Sequence, residues 1–197
     1  MGLSGPRFSN TLYSNLTGVG FTGAKLHLFT DAVGIGSDSH VSGKSFATAD
    51  TGTVPGHGTG VGTGLTGIAG VATQIYALAT GFGFTGSKLM EICTAIEMAL
   101  ITEMGNASLN SIDFPVYLGV GNIVPGSIAV VSSGWSSSIQ SQGAGDGFIG
   151  SKWPEFSQAI GGGCYTGFQT ATGTLAITGS PIGAPSGGSG TGTGTIS

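Results

Sequence analysis

An internal repeat constrains this chain more than any other feature. The segment Tyr13-Ser-Asn-Leu-Thr17-Gly18-Val-Gly20-Phe21-Thr22-Gly23-Ala24-Lys25-Leu26 returns as Tyr76-Ala-Leu-Ala-Thr80-Gly81-Phe-Gly83-Phe84-Thr85-Gly86-Ser87-Lys88-Leu89. A third copy, at nearly the same spacing again, reads Gly145-Asp146-Gly147-Phe148-Ile149-Gly150-Ser151-Lys152-Trp153, with Ile139 matching Ile75. Repeats at a fixed period put equivalent side chains into equivalent surroundings, so the three copies are expected to fold alike. They divide the chain into units 1–65, 66–130 and 131–197 within one compact domain, a division that 197 residues permit.

After each copy the apolar positions align: Leu26, Phe29, Ala32, Val33 beside Leu89, Ile92, Ala95, Ile96 and beside Trp153, Phe156, Ala159, Ile160. The spacing i, i+3, i+6, i+7 is one face of a helix. Pro154 falls in the first turn, where its missing N–H does no harm, and Gly34, Gly105 and Gly161 are read as the three helix ends. The segment before each motif reads as a shorter helix, so each unit opens as a helical hairpin turned at its glycines. Beyond the hairpin the pattern turns β-like. Phe46-Ala-Thr48-Ala49-Asp50-Thr51-Gly52 resembles Phe168-Gln-Thr170-Ala171-Thr172-Gly173, and alternating glycines follow at Gly58 to Gly64 and Gly188 to Gly194. In the middle unit Phe114–Val120 and Ile123–Val131 read as two strands around a turn. The predicted fold class is α+β: three internal α-α-β-β repeats, helical hairpins with short glycine-rich strands, and a Gly/Thr-rich tail from Ser186 to Ser197.

The repeat motif supplies the candidate site residues: Gly20, Phe21, Gly23 and Lys25; Gly83, Phe84, Gly86 and Lys88; Gly147, Phe148, Gly150 and Lys152. All three turns match GxGxxG and open a helix. Dinucleotide binding needs a buried parallel strand before that motif, so that pyrophosphate meets the helix N-terminus. Ser9–Leu16 and Ser136–Gln142 are too polar for such a strand. The glycines are therefore read as tight helix–helix turns, with Phe21, Phe84 and Phe148 anchoring the core. A lysine in the first turn of a helix opposes the macrodipole, so another interaction is expected to favour it. Glu91 and Glu155, one helical turn beyond Lys88 and Lys152, offer helical ion pairs.

Catalytic chemistry finds little support. Asp50-Thr51-Gly52 resembles the aspartic-protease triplet, yet it lacks the apolar residues usual before it and has no second copy. His27, His40 and His57 show no partner spacing, and Glu91, Glu97 and Glu103 scatter around a helix. Met90, Met98 and Met104 read as adaptable packing. Cys93 and Cys164 lie far apart in the chain without metal-ligand spacing and read as buried thiols. The expectation is no enzyme, no cofactor and no metal site. No secretory signal or myristoylation pattern is visible at Met1–Arg7, and threonines and glycines dilute Leu65–Phe84 too far for a membrane span.

Forty glycines and only 14 charged residues, five of them cationic, set the class of partner. With so few cations a nucleic-acid footprint is excluded. A monomer of this mass exposes roughly 8,500 Å² by the usual scaling, so charge is spread at about one per 600 Å². Hydrophobic content of 39% and a mean hydropathy of +0.33 argue against disorder. A Gly/Ala/Ser/Thr chain nearly free of charge, with GFTG-[AS]-K helices alternating with Gly/Thr strands, resembles structural proteins of tailed bacteriophage particles. The resemblance implies a non-enzymatic, homo-oligomeric virion subunit of the capsid surface, neck, tail or baseplate. Its partners would be copies of itself and other virion proteins, without nucleic acid or membrane, and it would be assembled in the host cytoplasm. The alternatives are a secreted or surface-array adhesin and, behind it, a dinucleotide-binding enzyme.

Overall fold

The computed structural model describes residues 5–42, 44–52, 58–65, 67–106, 108–113, 120–123, 132–169, 173–179 and 188–196, the glycine-rich segments by their backbone. Six helices form three hairpins: α1 (Gly5–Gly18) with α2 (Leu26–Val41), α3 (Val71–Gly81) with α4 (Leu89–Gly105), and α5 (Ser132–Gly145) with α6 (Trp153–Gln169). Each helix also packs on the hairpin beside it. α1 meets α2 and α6, α3 meets α2 and α4, and α5 meets α4 and α6, so the six close into a ring with approximate threefold symmetry.

Equivalent positions of the three units share one core. Leu12, Ile75 and Ile139 are fully buried, as are Val33, Ile96 and Ile160. One turn on stand Ser37, Leu100 and Cys164, and after them Val41, Met104 and Phe168, all buried. Volumes compensate from unit to unit. Leu16 holds the place that Ala79 and Gly143 hold in the other units, and the indole of Trp153 fills the space that a Cβ on Gly143 would need. Ser37 is the one hydroxyl in its layer, and its Oγ has no hydrogen-bond partner among the described residues. A buried hydroxyl left unpaired costs about 1–3 kcal/mol. Ser37→Ala is therefore expected to raise stability by about 1 kcal/mol, read as a higher urea midpoint at unchanged slope.

Two glycines read from sequence as helix stops lie inside helices. Gly34 sits within α2 and Gly161 within α6, and only Gly105 ends its helix. Their purpose is close approach. A Cβ on Gly34 would come within 2.7 Å of Ser9 N and 2.8 Å of Gly5 O, and one on Gly161 within 2.6 Å of Ser136 N. Ser9 and Ser136 hold the same repeat position, so the two hairpins cross identically. In the middle unit Glu97 stands where Gly34 and Gly161 do, and its Oε2 accepts from Gly70 N at 3.1 Å and Ala72 N at 2.5 Å, capping α3. Between units the small residue lies two places on: Gly36 faces Ile75 and Gly163 faces Leu12.

The α+β expectation is corrected by this packing. The body in which side chains meet is all-α, six helices packed as a bundle. The three units do not fold as separate α-α-β-β modules, because each hairpin buries its apolar face only against its neighbours. The segments that follow the hairpins have extended backbone: β1 (Ser45–Gly52), β2 (Gly58–Leu65), β3 (Ser108–Asp113), β4 (Val120–Ile123), β5 (Gly173–Gly179) and β6 (Gly188–Ile196). Their backbones pair antiparallel in chain order, and β6 closes on β1. Glycine stands at every second place in β2 and β6, which leaves those two strands one face without side chains. Phe168, read as a strand residue, is buried on α6 beside Phe8 and Trp135. Phe114–Gly119, Val124–Val131 and, in the tail, Ser186, Gly187 and Ser197 lie outside the described residues.

Candidate functional site: the turn end and its lysine bridges

The three GxGxxG segments are helix–helix turns of one geometry. Gly20, Gly83 and Gly147 have φ of 85°, 79° and 86°, left-handed values that favour glycine. In each, the aromatic amide reaches back five residues: Phe21 N to Leu16 O at 2.9 Å, Phe84 N to Ala79 O at 3.0 Å, Phe148 N to Gly143 O at 2.8 Å. The glycine amide before it bonds three residues back, to Thr17 O, Thr80 O and Ala144 O. This is the Schellman arrangement that closes a helix on a left-handed residue. The glycine pattern thus serves a helix C-terminus, and each motif follows a helix where a dinucleotide fold has a strand.

The motif lysines join neighbouring units. Lys25 Nζ donates to Gly83 O at 2.7 Å and lies 5.6 Å from the centre of the Phe84 ring. Lys88 makes the corresponding reach to the third unit, its acceptor one residue earlier in the turn: it donates to Asp146 O with its ammonium 5.6 Å from the Phe148 ring. Lys88 also pairs with Glu91 at 2.8 Å. Lys152 pairs with Glu155 on its own helix. The carbonyls at the end of one helix thus answer the macrodipole objection to a lysine at the start of another. Edge-to-face rings add to two seams: Phe29 to Phe84 at 5.9 Å beside the Lys25 bridge, and Phe156 to Phe21 at 5.7 Å between the third unit and the first. Phe21, Phe84 and Phe148, expected as core anchors, are partly exposed and pack at the core's edge.

Removing a bridging lysine and removing Lys152 should differ. Lys25→Ala is expected to cost about 1 kcal/mol, the scale of a cation–ring contact with a charged donor near the surface. Lys152→Ala loses an exposed pair on one helix and should cost no more than about 0.5 kcal/mol. Paired chemical denaturation of the two variants measures the difference.

Other titratable groups serve helix ends. Asp38 Oδ2 accepts from Gly5 N at 3.0 Å at the start of α1. His27 Nδ1 lies 3.2 Å from Asp31, and His40 Nε2 is 2.9 Å from Ala69 O. His57 lies outside the described residues, and Asp50 is placed only by the β1 backbone. Glu103, which the sequence reading set aside, stands over Gly134 in the first turn of α5. Burial pushes its carboxyl up, partly offset by a hydrogen bond from Ser138. Its counterpart one unit earlier is His40, a polar residue at the same register, and that register is the signal that could have found it. The folded chain holds the Glu103 proton more tightly than the unfolded chain does. This contribution to stability is therefore fully present below the ordinary carboxylate pKa and lost as pH rises through the raised value. Glu103→Gln is expected to abolish that loss, seen as a smaller drop in urea midpoint between acid and neutral pH.

Burial raises both thiols, Cys93 to about 12 and Cys164 further, so neither is a nucleophile near neutral pH. Among the described residues no group of three or more His, Cys, Asp or Glu side chains could hold a metal, and no helix is long and apolar enough to cross a membrane. No protein family model, no curated protein and no solved structure matches the chain.

Proposed function

We propose that the chain is a non-enzymatic structural subunit of a large protein assembly, a component of a tailed-phage particle in its capsid surface, neck, tail or baseplate. Its partners are further copies of itself and other structural proteins of the particle. The observation that carries this reading is how little free charge the surface offers. Nine acidic and five cationic residues serve 9020 Å² of accessible surface, and three of the five cations, Lys25, Lys88 and Lys152, are engaged within the chain. Surfaces that stay permanently buried between subunits are poorer in charge than ordinary surface. The turn end adds bare glycines and Ile149, which is 91% exposed where the other two motifs carry Thr22 and Thr85.

Light scattering over a hundredfold range of concentration tests the reading. A stable multimer or a growing polymer is expected. A particle of 19.3 kDa, the mass of one chain, at every concentration would overturn self-assembly as the function.

A further inference from the structure

Two of the three seams between units are spanned by the chain itself and by a lysine bridge. The third, between α6 and α1, has no chain connection, and among the described residues no lysine crosses it. Lys152 is turned to Glu155, and a side chain built on Gly20 would meet nothing within 4 Å, whereas one on Gly83 would lie 3.2 Å from Lys25 Nζ. Among the described residues this seam is joined by shape, by rings and by an amide: Leu12 against Gly163, Phe8 against Gly167 and edge-on to Phe168, Phe21 edge-on to Phe156, and Asn15 Nδ2 donating to Ala159 O at 3.2 Å, with the β6 backbone also paired to β1. The face that α6 needs is therefore present on every copy of the chain, already fitted to it.

We infer, building on the assembly reading above, that copies join by opening this seam, α6 of one copy taking on the next copy's α1 the place it holds on its own. Exchange of an existing contact between identical chains needs no new complementary surface. The contact runs from the α6 side of one copy to the α1 side of another, so it is head-to-tail and continues from copy to copy.

A cysteine pair across the seam reports which chain supplies α6. A Cβ on Gly162 would lie 3.5 Å from Asn15 Nδ2, so the two positions face each other across the seam, and Asn15→Cys with Gly162→Cys is the pair to test. The native thiols, buried and raised, do not compete. The double variant is concentrated under reducing conditions, oxidised, and run on a non-reducing denaturing gel beside light scattering of the same sample. Exchange predicts covalent species at multiples of the single-chain mass that reduction collapses to one band. Multimers in solution that run as single chains after complete oxidation would overturn the exchange and leave the assembly reading standing. Single chains by both methods would overturn both. If the first pair does not fold, Leu12→Cys with Gly163→Cys, where a Cβ lies 3.4 Å from Leu12 Cα, asks the same question.

Discussion

Trp135→Ala is expected to destabilise the bundle by about 3–5 kcal/mol, the scale of a large aromatic truncation in a core that cannot collapse around the gap. The indole is fully buried and stacks on Phe168 with centroids 5.5 Å apart. Phe168 in turn meets Phe8 edge-on at 5.9 Å, so the loss would be felt in α5, α6 and α1 together. Trp135→Phe is the control. The indole Nε1 has no partner among the described residues, so phenylalanine keeps most of the stacking and removes an unpaired donor. Its cost should stay below about 1.5 kcal/mol, as for other volume-conserving swaps. Thermal and chemical unfolding of both variants decides, and an equal loss in the two would mean that the stack is not what holds this region.

Gly34→Val should be the next largest effect, at the upper end of the about 1–3 kcal/mol typical of overpacking. Its first added carbon would enter the space of Ser9 N and Gly5 O, which are backbone atoms and cannot rotate aside. α1 would have to lift from α2, disturbing the hydrogen bond from Ser9 Oγ to Gly5 O as well. Gly18→Ala, at the exposed last turn of α1 where a Cβ would meet nothing within 4 Å, serves as the neutral comparison. If the two glycine variants unfolded at the same denaturant concentration, the close crossing would be refuted.

How much of this was legible in the sequence depends on which physical signal each feature leaves there. The repeat, the helical hairpins and the turn glycines were readable because Schellman ends need glycine at a fixed place and helices need apolar residues at a fixed spacing. The lysine position was visible too, and so were the pairs with Glu91 and Glu155 one turn along the same helix; what the sequence did not show is that Lys25 and Lys88 also reach the next unit's turn. Gly34 and Gly161 misled, since a glycine that permits a close crossing looks in one dimension like a glycine that stops a helix. The fold class was misread for a related reason. Alternating glycines advertise extended backbone, and they say nothing about whether that backbone shares a core with the helices. Glu103 escaped notice because its register with His40 is plain in the repeat but its place over the start of α5 appears only once the helices are packed.

The closed ring also orders events in time. Five of the six helix contacts join neighbours in the chain, α1 to α2 through α5 to α6, and those within the three hairpins close over the short glycine turns. The sixth brings α6 back to α1, with Asn15 and Ala159 separated by 144 residues. Contacts between near neighbours form early, while the loop entropy of a long closure must be met before that contact gives anything back. Refolding should then show α1–α2 protection appearing ahead of α6–α1 protection, and the interval between them is the time during which a second chain can compete for α1.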